Sequence, residues 1–299
     1  MFRVTGMSRA VLAVLLAIYL ACLPRTGRAD EEADDLVWET DYAAAMQQAE
    51  RRQKMLLIHF FDEAHSGPSR PFLDEIQSKP PMREKLGNFV LARLPLDTEI
   101  KVKGQPSKLL SHAAFAEMER HQGIAVIDFA SEGTEHYGHV VSTLPFKSGK
   151  YYHFQAKHIA VLLNLPPGTP TQRAMVFAVR IHPESPASTK GDQDPHLVKE
   201  AKRHSQYQAR LRVQGHHHWE ARFPRIAGLL PFGLRPQEVV AESWPHENML
   251  DAAVDCVASW RQSSGHWGAV KKSQPKFAYD MRRGNNGIWY ATGIFGNWH

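Results

Sequence analysis

The segment Leu165-Pro166-Pro167-Gly168-Thr169-Pro170-Thr171 constrains this chain more than any other. Proline removes a backbone donor, and each residue before a proline is pushed out of the helical region. No helix or strand runs through such a stretch. It predicts a linker at 165–171 between two units, which a length of 299 residues readily accommodates.

Before the linker, short apolar runs alternate with helical patterns. Met55-Leu56-Leu57-Ile58-His59-Phe60-Phe61 suits a buried strand, and Asn88-Phe89-Val90-Leu91-Ala92-Arg93-Leu94 a second, ended by Pro95. Further strands are expected at 124–129 and 139–142, with helices at 42–52, 69–77, 109–120 and 152–163. The alternation predicts an α/β domain over residues 38–164. Its first strand leads into His65-Ser66-Gly67-Pro68-Ser69. With the later Gly123-Ile124-Ala125-Val126, this region resembles the thioredoxin fold, whose loop reads Trp-Cys-Gly-Pro-Cys. Ser66 and Ser69 stand in the two cysteine places, and Ala125 in that of the family's cis-proline. Dithiol exchange needs a thiolate and a resolving thiol, so the resemblance implies a module without redox chemistry. A carrier or spacer role is then expected, with peptide binding along the former substrate groove as the alternative.

After the linker, a helix capped by Thr171 is expected to reach Ile181, where His182-Pro183 stops it. Asp194 and Pro195 fit the cap and first turn of a long helix, along which Ala201, Ser205 and Ala209 recur every fourth residue. Small side chains at that interval allow close approach of a neighbour. A helix is predicted at 247–262, and Gly284-Asn285-Asn286-Gly287 signals a hairpin into a strand at 288–295.

This half also holds the residues with chemical potential. The cluster His216-His217-His218, then Glu242, then Ser263-Ser264-Gly265-His266 are separated in sequence but recur beside turn residues. Brought together, two imidazoles and a carboxylate could ligate zinc or copper, although no His-Glu-x-x-His spacing supports it. They could instead serve a hydrolase, with His266 or His216 oriented by Glu242 and Ser243, Ser263 or Ser264 as nucleophile, but no Gly-x-Ser-x-Gly elbow is present. A third reading is a hydrogen-bonded cluster that holds the loops in place.

Four segments over residues 168–299 resemble the CAP superfamily of secreted α-β-α sandwich proteins, also called sperm-coating-protein-like. They are Ala201, His204-Ser205, Ala209 and Gly215-His216; Ala241-Glu242-Ser243 for the family's Gly-Glu-Asn; Trp260 followed by Ser263-Ser264-Gly265-His266; and the aromatic run 287–296. The resemblance implies a sandwich domain at 172–299 whose cavity is lined by His216, Glu242 and His266, with His217 as the alternative to His216. Ser263 falls where some members carry a second glutamate, which implies a weaker zinc or copper site. The function implied is non-enzymatic binding of a small ligand, a lipid or an exported protein partner.

Residues 1–29 read as a secretory signal peptide, with a basic start, an apolar run at 10–21 and a small-residue cut after Ala29. An uncleaved anchor, or lipidation at Cys22, is the alternative. Export implies a secreted, periplasmic or cell-envelope location. Of the 36 basic residues four lie in this leader, leaving 32 against 31 acids. That balance makes no electrostatic case for nucleic acid. Without Cys22 only Cys256 remains, expected as a buried, inert thiol.

Overall fold

Two mixed sheets, each flanked by helices, carry the chain. The computed structural model describes residues 36–67, 69–147 and 156–298, all within the unit Leu36–His299. The expected leader, Cys22 and Pro68 lie outside the described residues.

The first sheet is built from β1 (Trp38–Glu39), β2 (Leu56–Phe61), β3 (Val90–Pro95), β6 (Gly123–Ile127) and β7 (Val140–Pro145), in the order β1-β3-β2-β6-β7. The first three are parallel, and β6 and β7 are antiparallel to their neighbours. Residues Leu56 to Phe60 are all buried, as an apolar strand covered on both faces requires. The sheet's helices are α1 (Tyr42–Arg52), α2 (Arg70–Ser78), α3 (Pro80–Leu86) and α4 (Ala156–Leu162).

Several features depart from the sequence reading, which has no counterpart for β1 or α3. A small hairpin, β4 (Glu99–Val102) with β5 (Gln105–Lys108), turns at Lys103 and Gly104, whose φ values are 51° and 82°. The helix expected over 109–120 is instead two 3-10 segments, Leu109–Ser111 and Ala113–Met118. Leu109, Leu110, Phe115 and Met118 are all buried. A 3.6-residue period cannot turn those four to one side, and the backbone breaks its helical angles at Phe115.

The second sheet has the order β8-β10-β11-β9, from β8 (Asp192–Gln193), β9 (Leu234–Glu242), β10 (Lys276–Arg283) and β11 (Trp289–Trp298). The Asn-Gly turn joins β10 to β11 as expected, with Gly287 at φ 79°. Helices α5 (Pro170–Ile181) and α8 (Met249–Gln262) cover one face; α6 (Pro195–Leu211) and α7 (Trp219–Ala227) cover the other. Side-chain alternation divides the strands accordingly: Phe277 and Tyr279 join the α5/α8 core, and Ala278 packs with Leu197 and Ala201 of α6. Ala201, Ser205 and Ala209 are buried where α6 lies on the sheet.

Helix α5 joins the two sheets. Thr169 and Gln172 form a reciprocal capping box with Pro170 at the first turn, two residues before the expected Thr171 cap, because proline favours that position. Nine of its twelve residues are buried, as expected of a helix enclosed on most sides. It packs against β7 of one sheet and β10 of the other. One apolar core therefore includes Leu57, Val126 and Val141 from the first sheet and Trp260 and Phe277 from the second half. Cys256 is buried in this core, and burial raises its thiol well above the usual range. Among the described residues no helix is long and apolar enough to cross a membrane.

Within this seam Arg173 is 2% exposed. Its guanidinium donates to Ser142 Oγ at 2.7 Å and to the carbonyls of Leu165 and Pro166 at 3.2 and 2.8 Å. Burial lowers its pKa to about 10, against an opposing pull from Asp128. Arg173→Met should retain bulk but strand those acceptors. The expected loss is about 2–4 kcal/mol in urea unfolding, since bonds to a charged donor contribute more than neutral ones. A loss below about 0.5 kcal/mol, the range of ordinary surface changes, would refute this role.

Candidate functional site

Strand β9 brings one carboxylate into the interior. Glu238 sits on the face toward α6 and α7, and its side chain is 1% exposed. Burial alone would raise its pKa, but hydrogen bonds from His216 and Arg222, together with nearby His204, hold it below the usual range. Glu238 is therefore ionised and only accepts hydrogen bonds.

That acceptor orders the histidines around it. His216 Nδ1 donates to Glu238 Oε1 at 3.1 Å, and Arg222 pairs with the other oxygen. His204 Nε2 donates to Gly215 O at 2.9 Å and lies 3.6 Å from Glu238 Oε1. Burial pushes His204 down to about 4, so it is neutral at pH 7. The other ring nitrogen of His216, Nε2, hydrogen-bonds with His266 Nε2 at 3.2 Å. Partial burial, and then His216, hold His266 below the ordinary histidine value, with Glu238 opposing.

Local structure explains these placements. Arg212 and His218 adopt left-handed φ of 58° and 55°, which folds the loop after α6 back over β9. Gln208 Oε1 accepts from Gly215 N at 3.1 Å within that loop. His266 lies in α9 (Ser264–Lys271), whose cap is Ser263. The next residue, Trp267, donates from its indole to Glu184 at 3.0 Å, and Glu184 also pairs with Arg261. This clamp fixes the turn of α9 that carries His266.

The sequence-predicted residues separate as follows. His216 and His266 meet. Glu242 does not join them: it ends β9, exposed and paired with Tyr290, roughly 13 Å beyond Glu238 at about 3.3 Å per residue. The carboxylate at the imidazoles is Glu238, which the Ala241-Glu242-Ser243 alignment missed by four residues. Both glutamates lie on the same strand face, so alternation alone could not choose between them. His217 turns to Val213 O at 3.1 Å, and His218 meets the Tyr207 hydroxyl at 3.0 Å.

Ser263 Oγ caps α9 by accepting from His266 N at 3.5 Å, and Ser264 is the exposed first residue of that helix. Ser243 accepts from Trp289 N and donates to Trp244 O. Among the described residues no hydrogen bond joins a serine hydroxyl to the imidazole ring of His216 or His266, so the geometry does not assemble a nucleophile and its base.

The donors do not fit the three-ligand zinc or copper site expected from His216, Glu242 and His266. Both oxygens of Glu238 are engaged, Glu242 is distant, and among the described residues no group of three His, Cys, Asp or Glu is placed to hold a metal ion. The two Nε2 atoms of His216 and His266 are hydrogen-bonded to each other.

In the first half, Ser66 is exposed but Ser69 is buried beneath the loop. Ser69 Oγ donates to Gln122 Oε1 at 2.6 Å and accepts from His59 Nε2 at 3.0 Å, while the Gln122 amide donates to His65 O at 2.7 Å. Ala125, which stands in the cis-proline place of the thioredoxin resemblance, pairs with Ile58 inside β6, and Gln122 meets the loop. His59 is fully buried, and burial, with Arg93 adding, pushes it down to about 3.

No family model matches the chain, and no match is found among curated proteins or solved structures.

Glu238→Ala should leave Arg222 without its carboxylate and destabilise the chain by about 3–5 kcal/mol. Glu242→Ala should stay within about 0.5 kcal/mol of the parent. Urea unfolding of both variants checks the assignment, and equal losses would overturn it. A second outcome concerns pH. Between the ordinary histidine value of 6.5 and about 3, unfolded chain takes up a proton at His59 that folded chain refuses. Stability from this group is therefore complete above that window and falls as the pH drops through it. His59→Phe should flatten the plot of unfolding free energy against pH by roughly 1.4 kcal/mol per unit between about pH 6 and pH 4. Parallel plots for the two proteins would count against it.

Proposed function

We propose that this chain is an exported, non-enzymatic binding protein in which a redox-inactive thioredoxin-like module precedes a CAP-type sandwich, and that the His216–His266 pair is its recognition point. The carrying observation is the 3.2 Å approach of two Nε2 atoms, with buried Glu238 fixing the tautomer of one. His216 keeps 42% of its side chain exposed, so the pair is reachable from solvent.

Support for the modules comes from sheet order. Three parallel strands followed by two antiparallel ones suit a thioredoxin-like unit, and a four-stranded sheet with helices on both faces suits the sandwich. In this reading the family's glutamate corresponds to Glu238 in Gln237-Glu238-Val239. The Ser69–His59–Gln122 bonds replace any dithiol chemistry with a fixed polar corner. Binding is favoured over hydrolysis because the nearby serines serve as caps and turn anchors.

Such a pair can share a proton or a soft cation with a polar ligand group, but without a third protein ligand its hold on a cation is weak. Zinc titrated into the untagged full chain should perturb the imidazole resonances of both His216 and His266 and wash out on gel filtration. His266→Ala should abolish the response. Generic ester and peptide substrates should give no turnover that depends on His266. Turnover lost in His266→Ala would replace binding with hydrolysis.

A further inference from the structure

A separate cleft lies where the turn at 134–136 and the linker face the start of α6. Its volume of about 460 Å³ falls within the range of small-molecule sites, about 300–1,000 Å³. Pro167, Gly168, Pro195 and Val198 make its walls largely apolar, and lysine stems extend them. Lys199 and Lys202, three residues apart on α6, place their ammonium groups on one side of the helix.

The charges there are unequally matched. Lys202 pairs with Glu135 across the cleft. Lys199 has no ion pair or hydrogen bond among the described residues. Nearby carboxylates are already committed: Asp194 accepts from the amides of His196 and Leu197, and buried Asp280 is bonded by Thr171 and Gln172. His136 lines the cleft but stands 3.4 Å from buried Asp128, and burial holds it below the ordinary histidine value. One ammonium beside an apolar wall remains unmatched.

We propose that this cleft binds a small organic monoanion with an apolar body, its carboxylate held by Lys199 and its body lying against Pro167, Pro195 and Val198. The Glu135–Lys202 pair, one partner from each half of the chain, forms its rim. The site is distinct from the histidine pair, because His204 leaves α6 roughly 140° around the helix from Lys199.

The test uses 4-phenylbutyrate and its neutral primary amide, each titrated into the full chain by calorimetry and by amide NMR. The acid should bind and shift the backbone resonances of 134–136 and 195–202. The amide should bind about tenfold more weakly, and Lys199→Gln should weaken the acid about tenfold, equivalent to about 1.4 kcal/mol. His216→Ala should leave acid binding unchanged. The proposal is overturned if acid and amide bind alike, if Lys199→Gln has no effect, or if the acid produces neither heat nor shifts in these segments.

Discussion

A carboxylate enclosed by protein must find positive or hydrogen-bond-donating partners, and Glu238 imposes that demand on everything around it. Its strand delivers it to the face covered by α6 and α7. Arg222 must then come from α7 and His216 from the intervening loop, while His204 approaches from α6. The loop can comply only because Arg212 and His218 accept left-handed backbone angles. The histidine pair is thus a consequence of satisfying one buried charge. His266 completes it from a helix held in place by the Trp267–Glu184–Arg261 contacts.

The second constraint lies in α5. A helix with nine buried residues in twelve cannot belong to one sheet alone. Val176 and Phe177 contribute to a core shared by both halves, so the proline-rich linker marks a change of sheet without separating two independent interiors. Arg173 carries the argument further. It spends a buried positive charge on the linker's own carbonyls and on Ser142 of β7, which ties the segment least able to form regular structure to the sheet beside it. Glu117 also links the two halves, accepting from Met249 N at the start of α8.

Much of this architecture was legible wherever backbone chemistry spoke locally. The linker, the Asp194–Pro195 helix start, the Asn-Gly hairpin and the apolar strands β2 and β3 each carry their own signal. The histidines could be singled out as well. Their carboxylate could not, because Leu234-Arg235-Pro236-Gln237-Glu238 alternates poorly and reads as loop until β11 pairs with it. The 3-10 turns at Leu109–Met118 were hidden for a related reason: their buried residues are grouped by a tertiary surface without helical period. Gln122 gave no signal, since an amide becomes distinctive only when Ser69 and the His65 carbonyl are both within reach.

The two polar corners differ in what they can do, and the difference is one of access. Around Ser69, hydroxyl, amide and imidazole satisfy one another under a cover of Trp38, Phe72 and Phe146, and His59 is too buried to take a proton near neutrality. Such a set resists change in both charge and geometry. Around Glu238 the same chemistry is graded from inside to outside: an enclosed carboxylate, a buried neutral His204, then His216 and His266 open to solvent. A rigid, charged interior that ends in a histidine pair reachable from solvent fixes the orientation of both rings. The proposal that recognition takes place at the second corner rests on that asymmetry rather than on the mere presence of histidines.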